Sequence, residues 1–424
     1  MQINLIKKYF SQELTKLDEK IKKNKNLPLS AIQYDAIDVA SSMQTLLKGW
    51  PTIGLKVKEV ENKIKKKLNV KNAVMVNSGG SANFLMLYIL TSPYAKKKDK
   101  IKLGSEVITP AVTWSTTVGP IIQNNLVPVF IDVNLGSYDI DVDLIEKNIT
   151  KKTRAIMLVH PLGQSCQMDK IIKICKKHKL VLIEDNCESI GAKYKNKSTG
   201  TFGIFSSISM YQSHHISSVE GGFVLTNDNY YADIFRSMRA NGWLREIINK
   251  KTKKKFINQN KSINQSFLFP YIGYNFKPTD FSAALVSKQI DKLKIFINKR
   301  SKSANFLIHK LKKYNNYLIL PKTLKHNFHS WFTFPIVVKK NKFFKKKELE
   351  IFLKKVNIDT RPIIAGNIAR QPFLKKFKFS KGKLINSDLV MDNGFFIGLH
   401  HKLSNKNLKY IVRAFDIFFN KFNK

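Results

Sequence analysis

Short apolar runs rich in β-branched residues alternate with segments of helical periodicity across the first half of this 424-residue chain. The strand-like runs lie in AVMVNSGG, SEVITPAVTW, VPVFIDV, TRAIMLVHP and KLVLIEDN. The segments between them, such as SANFLMLYILT and QMDKIIKICKKH, carry apolar residues at helical spacing. Strands joined by helices pair in parallel, so the alternation predicts an α/β fold with a mostly parallel sheet covered by helices on both faces.

The regions before and after these alternating strands and helices predict two further parts of the chain. We expect a polar helical segment over residues 1–55, a large α/β domain over 56–289 and a smaller α+β domain over 290–424. A long helix over 282–313 should lead out of the large domain. The lysine-rich stretch over 249–262 predicts a charged loop.

The formal net charge of +44 is extreme and is typical of proteins that bind nucleic acid or a membrane surface. However, the excess lysine is spread in short runs along the whole chain. No block combines arginine with aromatic residues, as surfaces that grip bases do. We therefore expect a solvated lysine surface and no nucleic-acid partner.

Cysteine usage and the apolar runs indicate the compartment. Cys166, Cys175 and Cys187 are an odd number of cysteines without CxxC spacing, which is typical of free thiols in a reducing compartment. The N-terminal residues lack the pattern of a secretory signal, and no apolar run reaches the length of a membrane span. A cytoplasmic protein without membrane contact is the expectation.

The most informative loops follow the predicted strands, because ligands of such sheets bind outside the carboxyl ends of the strands. NSGGSAN, residues 77–83, lies between a predicted strand and a predicted helix. Backbone N–H groups at a helix start suit a phosphate. An ordinary turn explains the small residues equally well.

Two larger side chains occupy equivalent positions after other strands. Trp114 suits either a buried core indole or a ring stacked on a planar cofactor. Asp185 directly follows a buried run, where a carboxylate is costly unless it is paired. A protonated heterocyclic nitrogen would pair it, and a helix N-cap is the alternative role.

These segments, followed in order by GTFG, SHHISSVEGG, RSMRANGW and YNFKPTDFSAAL, resemble the DegT/DnrJ/EryC1/StrS family of sugar aminotransferases over residues 30–402. The resemblance implies the fold type I architecture of pyridoxal-phosphate aminotransferases, with a central sheet of the seven-stranded type. It also implies a homodimer with shared active sites. The cofactor would be pyridoxal 5'-phosphate or pyridoxamine 5'-phosphate, and the substrate a nucleotide-linked 4-keto sugar.

The resemblance assigns the cofactor contacts residue by residue. It implies Gly79, Gly80 and Ser81 at the phosphate turn, Trp114 on the ring, Asp185 on the ring nitrogen, Glu188 beside the ring, Ser209 on the phosphate, and Asn275 on the phosphate of the other subunit's cofactor.

His214 marks a departure with chemical consequences. Most of the family carries, six residues before the Glu of EGG, a lysine that holds the cofactor covalently, whereas this chain has His214. An imidazole cannot form that link, but it can move protons near neutral pH. The exchange resembles the sugar 3-dehydratase branch, so His214 is the expected catalytic base. His215 is grouped with the substrate-binding residues, although a structural role behind His214 is favoured.

The resemblance implies removal of the C3 hydroxyl from a nucleotide-linked 4-keto-6-deoxy sugar, in first place GDP-4-keto-6-deoxy-D-mannose. Glutamate would be the amino donor, ammonia and a 4-keto-3,6-dideoxy sugar the products, and surface polysaccharide such as lipopolysaccharide O-antigen the destination.

Two rival activities remain open. A nucleotide-sugar aminotransferase would use another lysine, for which AKYKNKS offers Lys193, Lys195 and Lys197. A dehydrase of the kind that acts on CDP-4-keto-6-deoxyglucose carries an iron–sulfur cluster held by four cysteines. The three cysteines of this chain disfavour that reading.

Further positions differ from the family pattern or carry separate expectations. Gly80 stands where relatives usually have Ser or Thr, so the phosphate loses a hydroxyl contact or takes one from Ser81. Lys277 replaces an expected Arg and lacks its planar fork. It is grouped with Arg361 among the substrate-binding residues. The adjacent histidines at 400–401 have no carboxylates beside them, so no metal is expected.

Overall fold

The structure, a computed structural model, describes residues 2–23 and 26–422. In this part of the chain, no helix is both long and apolar enough to cross a membrane. All three cysteines are free thiols, as expected.

The strands are β1 Asn72–Val76, β2 Glu106–Pro110, β3 Val127–Ile131, β4 Thr153–Val159, β5 Val181–Asp185, β6 Lys193–Tyr194, β7 Lys197–Ser198, β8 Phe205–Ser209, β9 Gly222–Thr226, β10 Leu318–Ile319, β11 Asn327–Phe328, β12 Phe334–Val338, β13 Thr360–Arg361, β14 Ser380–Lys381 and β15 Gly394–Ile397.

The α-helices are α1 Gln2–Lys23, α2 Ala36–Leu47, α3 Leu55–Leu68, α4 Gly79–Thr91, α5 Ser115–Gln123, α6 Val142–Ile145, α7 Met168–His178, α8 Asn229–Arg239, α9 Lys250–Gln259, α10 Asp280–Leu311, α11 Lys346–Lys355, α12 Ile385–Asn393 and α13 Asn405–Phe419.

The central sheet has the strand order β1-β9-β8-β5-β4-β2-β3-β14. Its strands run parallel except for β9, which pairs antiparallel with β1 and β8. The predicted α/β class with a mostly parallel sheet is confirmed, and the short β14 adds an eighth strand at the β3 edge. Because β1, β2, β4, β5 and β8 point the same way, the loops after them meet at one edge of the sheet.

Local periodicity predicted most of these elements correctly. The strand-like runs form β1 to β5, and the helical segments form α3, α4, α5, α7 and the long α10. α4 shows why the fold is stable at the site, since Leu85, Met86, Leu87, Ile89 and Leu90 are completely buried. Each such side chain contributes about 1.5–3 kcal/mol of transfer free energy. This packing fixes the N-terminus of α4 at the ligand edge.

The prediction of a charged loop over 249–262 is wrong, because ten of its residues form α9. Asn249 caps this helix by accepting a hydrogen bond from Thr252 N at 3.0 Å. Phe256 and Ile257 pack against the core of the large unit. Lysine has a high helix propensity, and the local charge pattern concealed these two anchors.

The C-terminal part contains a four-stranded antiparallel sheet of order β10-β12-β15-β13. A third sheet, of order β11-β6-β7, joins the two parts. The expected domain boundary at residue 290 lies inside α10, and β14 returns to the central sheet. The division into three domains therefore stays a prediction.

Candidate active site

The loop after β1 enters α4 with a side-chain cap. Ser78 Oγ accepts a hydrogen bond from Ser81 N at 3.0 Å and lies 2.9 Å from Ser81 Oγ. The N–H groups of Gly79 and Gly80 have no acceptor within the helix, because the first turn of any helix leaves its donors unpaired. Together with the partial positive charge of the helix N-terminus, they suit an anion such as a phosphate.

Glycine allows this turn to approach the neighbouring strand ends. A Cβ atom on Gly79 would lie 2.8 Å from Ser209 Cβ and 2.9 Å from Cys187 Sγ. A Cβ atom on Gly222 would lie 2.5 Å from the carbonyl carbon of Ser78. Ser209, the last residue of β8, therefore lies directly beside the first turn of α4, where its hydroxyl can reach the same anion.

The side chain of Thr116 explains why residue 80 is a glycine where the family usually has Ser or Thr. A Cβ atom on Gly80 would lie 3.3 Å from both Cβ and Cγ2 of Thr116. A Ser or Thr at this position would crowd the threonine. Ser81 is partly exposed and is the remaining hydroxyl of the turn that can serve an anion.

Asp185 is a buried carboxylate that accepts four hydrogen bonds from uncharged donors. Oδ2 accepts from Asn83 Nδ2 at 2.8 Å and from Thr117 Oγ1 at 2.7 Å. Oδ1 accepts from Cys187 N at 3.1 Å and from Ser207 Oγ at the longer distance of 3.4 Å. No ion pair of the described chain includes Asp185. A buried charge without a counter-ion is costly, so the site favours a cationic ligand near Oδ1.

The N-cap alternative for Asp185 is wrong, because turns rather than a helix follow β5. Trp114 is also not a core indole, since 55% of it is exposed. It immediately precedes α5, and Thr117 in the first turn of that helix bonds Asp185. The indole is therefore open to a ligand within one helical turn of a group that supports the carboxylate.

His214 lies in the connection between β8 and β9, and its backbone N–H donates a hydrogen bond to the Tyr211 carbonyl at 2.9 Å. Its ring packs against Phe332 with 5.0 Å between the ring centroids. Nδ1 is buried and has no hydrogen-bond partner among the described residues. Burial lowers the pKa of His214 to about 4, the charge of Asp185 opposes this fall, and the charge of Arg300 adds to it. The imidazole is therefore neutral at pH 7 and can accept a proton.

His215 is completely buried, and its Nε2 donates a hydrogen bond to Ser330 O at 3.0 Å. Burial also holds the pKa of His215 well below its usual value. This geometry contradicts the expected direct contact with substrate. It favours the structural role behind His214, since a group without exposed surface cannot touch a ligand.

Glu188 is partly buried beside the same edge, and its Oε2 accepts a hydrogen bond from Leu162 N at 2.9 Å. Burial raises the pKa of Glu188 to about 7; the Leu162 N–H opposes this shift and the charge of Asp185 adds to it. Near neutral pH this carboxyl group can therefore donate as well as accept a hydrogen bond.

The side chains of three expected site residues make no recorded hydrogen bond with this cluster within the single chain. Asn275 is exposed and Lys277 is half-buried, both in the segment before α10. Arg361 is exposed on β13, where it pairs with Phe396 of β15. Their assignment to the site stays a prediction.

Several residues that complete the site were missed at the sequence level. Asn83 and Thr117 lie inside the quoted stretches NSGGSAN and PAVTWSTT, so their polarity next to a predicted strand end was an available signal. Phe332 and Arg300 carried no such signal. The contact of Phe332 with the His214 ring and the electrostatic effect of Arg300 on it arise from tertiary packing alone.

The lysines of the rival aminotransferase reading lie elsewhere. Lys193, Lys195 and Lys197 are exposed on the β6–β7 hairpin, which pairs with β11 rather than with the central sheet. Lys195 Nζ is 2.5 Å from Asp169 Oδ2, and Lys197 Nζ lies over the Phe202 ring. None of them replaces the missing amine at His214.

Comparison with known proteins gives a consistent picture. The model of the DegT/DnrJ/EryC1/StrS aminotransferase family matches residues 34–416. A dTDP-4-dehydro-2,6-dideoxy-D-glucose 3-dehydratase from Saccharopolyspora spinosa is 37% identical over 393 residues, covering 91% of this chain and 85% of that protein. A GDP-4-keto-6-deoxy-D-mannose 3-dehydratase from Escherichia coli O55:H7 is 35% identical over 377 residues, covering 88% and 95%.

A lipopolysaccharide biosynthesis protein from Salmonella typhimurium is 35% identical over 403 residues, covering 93% of this chain and 92% of that protein. Among solved structures, a GDP-4-keto-6-deoxymannose-3-dehydratase with a trapped PLP-glutamate geminal diamine matches with a TM-score of 0.86 and 34% identity. That match covers 92% of this chain and all of the other.

Proposed function

Since the chain belongs to the DegT/DnrJ/EryC1/StrS aminotransferase family, we propose that it is a pyridoxamine-phosphate-dependent 3-dehydratase of a nucleotide-linked 4-keto-6-deoxy sugar. The imidazole of His214 carries this proposal, because it is neutral, unpartnered at Nδ1 and within range of the Asp185 charge. An aminotransferase of this family needs a lysine amine at that position. An imidazole leaves proton transfer as the available chemistry.

The residues of the site fit the cofactor in three separate respects. Its phosphate suits the free N–H groups at the start of α4 together with the Ser209 hydroxyl. Its planar ring suits the exposed face of Trp114, and its protonated ring nitrogen suits Asp185, which forms no ion pair with any described residue. When bound, the cofactor supplies an amine for the sugar C4 ketone and a ring that accepts electrons.

Asp185 and His214 then have complementary tasks. Asn83 and Thr117 hold Oδ2 of Asp185 in a fixed direction, and Oδ1 would be the oxygen that pairs with the ring nitrogen and keeps it protonated. The His214 imidazole takes up the proton whose removal drives loss of the C3 hydroxyl. Its low pKa lets it release that proton readily afterwards.

The sugar substrate follows from the relatives, which differ in the nucleotide. One 3-dehydratase relative acts on a GDP-linked 4-keto-6-deoxymannose, and another on a dTDP-linked 2,6-dideoxy sugar. The reaction at C3 next to a C4 ketone is common to both. We propose GDP-4-keto-6-deoxy-D-mannose as the first substrate to test, and the dTDP-linked sugar as its rival.

Glutamate is the proposed amino donor, in line with the solved relative that holds PLP and glutamate together. The proposed setting is surface polysaccharide biosynthesis in the cytoplasm, in line with the Salmonella relative. The pathway and the compartment both remain proposals.

We also propose a homodimer in which Asn275 reaches the phosphate of the partner's cofactor. Asn275 is exposed, yet its backbone is fixed by a bridge to Ala240 and by the neighbouring bond from Asn77 N to Phe276 O at 3.0 Å. An exposed side chain on a fixed backbone beside the phosphate turn suits a shared site. Mixing His214→Asn with Asn275→Ala should then restore activity in about a quarter of the sites, because only mixed dimers contain one complete site.

The test of the activity uses purified protein with pyridoxamine phosphate, glutamate and a panel of GDP-, dTDP- and CDP-linked 4-keto-6-deoxy sugars. Mass spectrometry should show a sugar that has lost one oxygen atom, and a coupled assay should show an equal amount of ammonia. An amino sugar without free ammonia would contradict the proposal. Borohydride reduction in the presence of pyridoxal phosphate should leave no lysine modified stoichiometrically.

A further inference from the structure

Arg300, on α10, is a buried cation without a carboxylate partner. It is 1% exposed, and no ion pair of the described residues includes it. Nη1 donates to the backbone carbonyls of Trp331 at 3.2 Å, Phe332 at 2.8 Å and Leu399 at 2.5 Å, while Nε is buried without a partner. The charge of Arg300 is therefore compensated by backbone carbonyls alone, and its effect depends on where those carbonyls lie.

Two of the three carbonyls that Arg300 binds, those of Trp331 and Phe332, belong to the segment that packs on the histidines of the site. The Phe332 ring lies 5.0 Å from the ring centroid of His214 and 5.9 Å from that of His215. His215 in turn donates to the carbonyl of Ser330. Residues 330–332 therefore form a wall with the imidazoles on one side and the guanidinium on the other.

This wall contains a backbone conformation that needs support. Trp331 has a φ of 56°, in the left-handed region that side chains other than glycine rarely adopt. The turn at Gly163 supports it from one side, because Ser330 N and Phe332 N donate to the carbonyls of Gly163 and Leu162 at 2.7 and 2.9 Å. Arg300 donates to the carbonyl of Trp331 and to that of the next residue, Phe332, and so supports this backbone at a second place.

We propose that Arg300 is a positioning residue for His214, acting through the Trp331 and Phe332 carbonyls and through its unpaired positive charge. The inference rests on the proposed function, in which His214 is the catalytic base. Arg300 itself does not touch the reacting atoms.

The charges around His214 support this role. Asp185 acts from the end of β5, Arg300 from α10 and His215 from the adjacent position, with the Tyr211 ring 6.1 Å away. Burial lowers the pKa of His214 most, Asp185 opposes that fall, and Arg300 adds to it. Without Arg300, the Asp185 charge acts unopposed, and protonation of His214 becomes easier.

The test follows the titration of His214 by NMR of histidine-labelled protein without added cofactor, with the resonance assigned through His214→Asn. In Arg300→Met the midpoint should rise by on the order of one pH unit. Arg236→Met is the matched control, because Arg236 is also buried but pairs with Asp233 at 3.0 Å. A folded Arg300→Met protein with the parental midpoint would overturn the proposal. The readout needs no turnover, so it stays separate from a failure of the proposed activity.

Arg300→Lys separates the effect of the charge from the effect of the bonds to the Trp331 and Phe332 carbonyls. It also provides a test if Arg300→Met does not fold. Lysine keeps the charge but lacks the planar fork. The His214 midpoint should stay at the parental value, whereas a crystal structure should show Phe332 displaced from the imidazole. Turnover per cofactor-loaded site should fall about tenfold, the effect expected when about 1.4 kcal/mol of positioning is lost. An unchanged Phe332 contact together with unchanged turnover per site would overturn the proposal.

Discussion

Glu184 and Asp185 are consecutive buried carboxylates at the end of β5, and they point to opposite faces of the central sheet. Glu184 accepts a hydrogen bond from His160 Nε2 at 2.8 Å. It also accepts three backbone N–H bonds of 2.6 to 2.8 Å, from Gly200, Phe202 and Gly203. Because His160 Nδ1 accepts from Cys166 N, Nε2 carries the hydrogen. Glu184 therefore has a complete set of short bonds inside the protein.

Asp185 has the same burial but a different kind of partner. Its short bonds come from the Asn83 and Thr117 side chains, while its Oδ1 has only longer hydrogen bonds, and no ion pair among the described residues includes it. A carboxylate with all its donors inside the protein stabilises the fold, here the turn at 200–203. A carboxylate that is held on one side and left without a cation on the other is arranged for a ligand.

The largest effect should come from Asp185→Asn. Loss of the charge opposite the ring nitrogen leaves a buried cation unpaired, so we expect kcat/KM to fall by about 10³–10⁴, corresponding to about 4–5 kcal/mol. Steady-state kinetics on the sugar substrate measure this loss. The amount of bound cofactor, read from its absorbance, separates lost binding from lost chemistry.

Glu184→Gln is the matched control one residue away. It should lower the melting temperature, because the bonds to the turn at 200–203 weaken, and leave turnover per folded site within about twofold of the parent. If the two variants lost turnover equally, the distinction between a structural and a functional carboxylate would be wrong.

His214→Asn should have the next largest effect. Asparagine keeps a polar group of similar size but cannot accept a proton, so we expect kcat to fall by about 10³ while the cofactor stays bound. His401→Asn serves as the control, since His401 stacks on Phe296 at 4.2 Å. Substantial turnover in His214→Asn would show that this imidazole is not the base.

Trp114→Ala should weaken the cofactor complex by up to about tenfold, because ring stacking contributes about 0.5–1.5 kcal/mol. Equilibrium titration of the apoprotein measures this change. Trp114→Phe keeps a ring and should retain most of the affinity. Equal loss in both variants would point to indole packing rather than stacking on a ligand.

The smallest effect concerns Glu188, whose pKa rises from an ordinary 4.5 to about 7 on folding. The folded state then binds more protons than the unfolded state between these two values, so stability falls as pH rises through this window. Glu188→Gln removes this dependence. The melting temperature of the variant relative to that of the parent should therefore increase from pH 5 to pH 7.5. A constant difference across this range would mean that the carboxyl titrates normally.

The strands, and the candidate site at their carboxyl ends, could be predicted because the sequence patterns that indicate them are local. The β-branched runs before Ser78, Trp114 and Asp185 predict strands from neighbours a few positions away, and the site then follows from parallel strand direction. The prediction failed at α9, where Phe256 and Ile257 decide the structure through contacts with a distant core. His215 was grouped with the substrate-binding residues, but its burial, which depends on residues 330–332, fits the structural role that was favoured for it.

The sequence by itself determined the α/β class and the edge of the sheet where a site is expected, since both depend on residue type and short spacing, and its resemblance to the family identified His214 as the residue in the place of a lysine. Only the tertiary structure decided that Glu184 has short hydrogen bonds at both oxygens whereas Asp185 has them only at Oδ2, and that Ser330, 115 positions away, would accept a bond from His215. It also placed Arg300 behind the wall at residues 330–332. The physical reason is that such contacts arise from the summed packing of many distant side chains, which no local window of sequence contains.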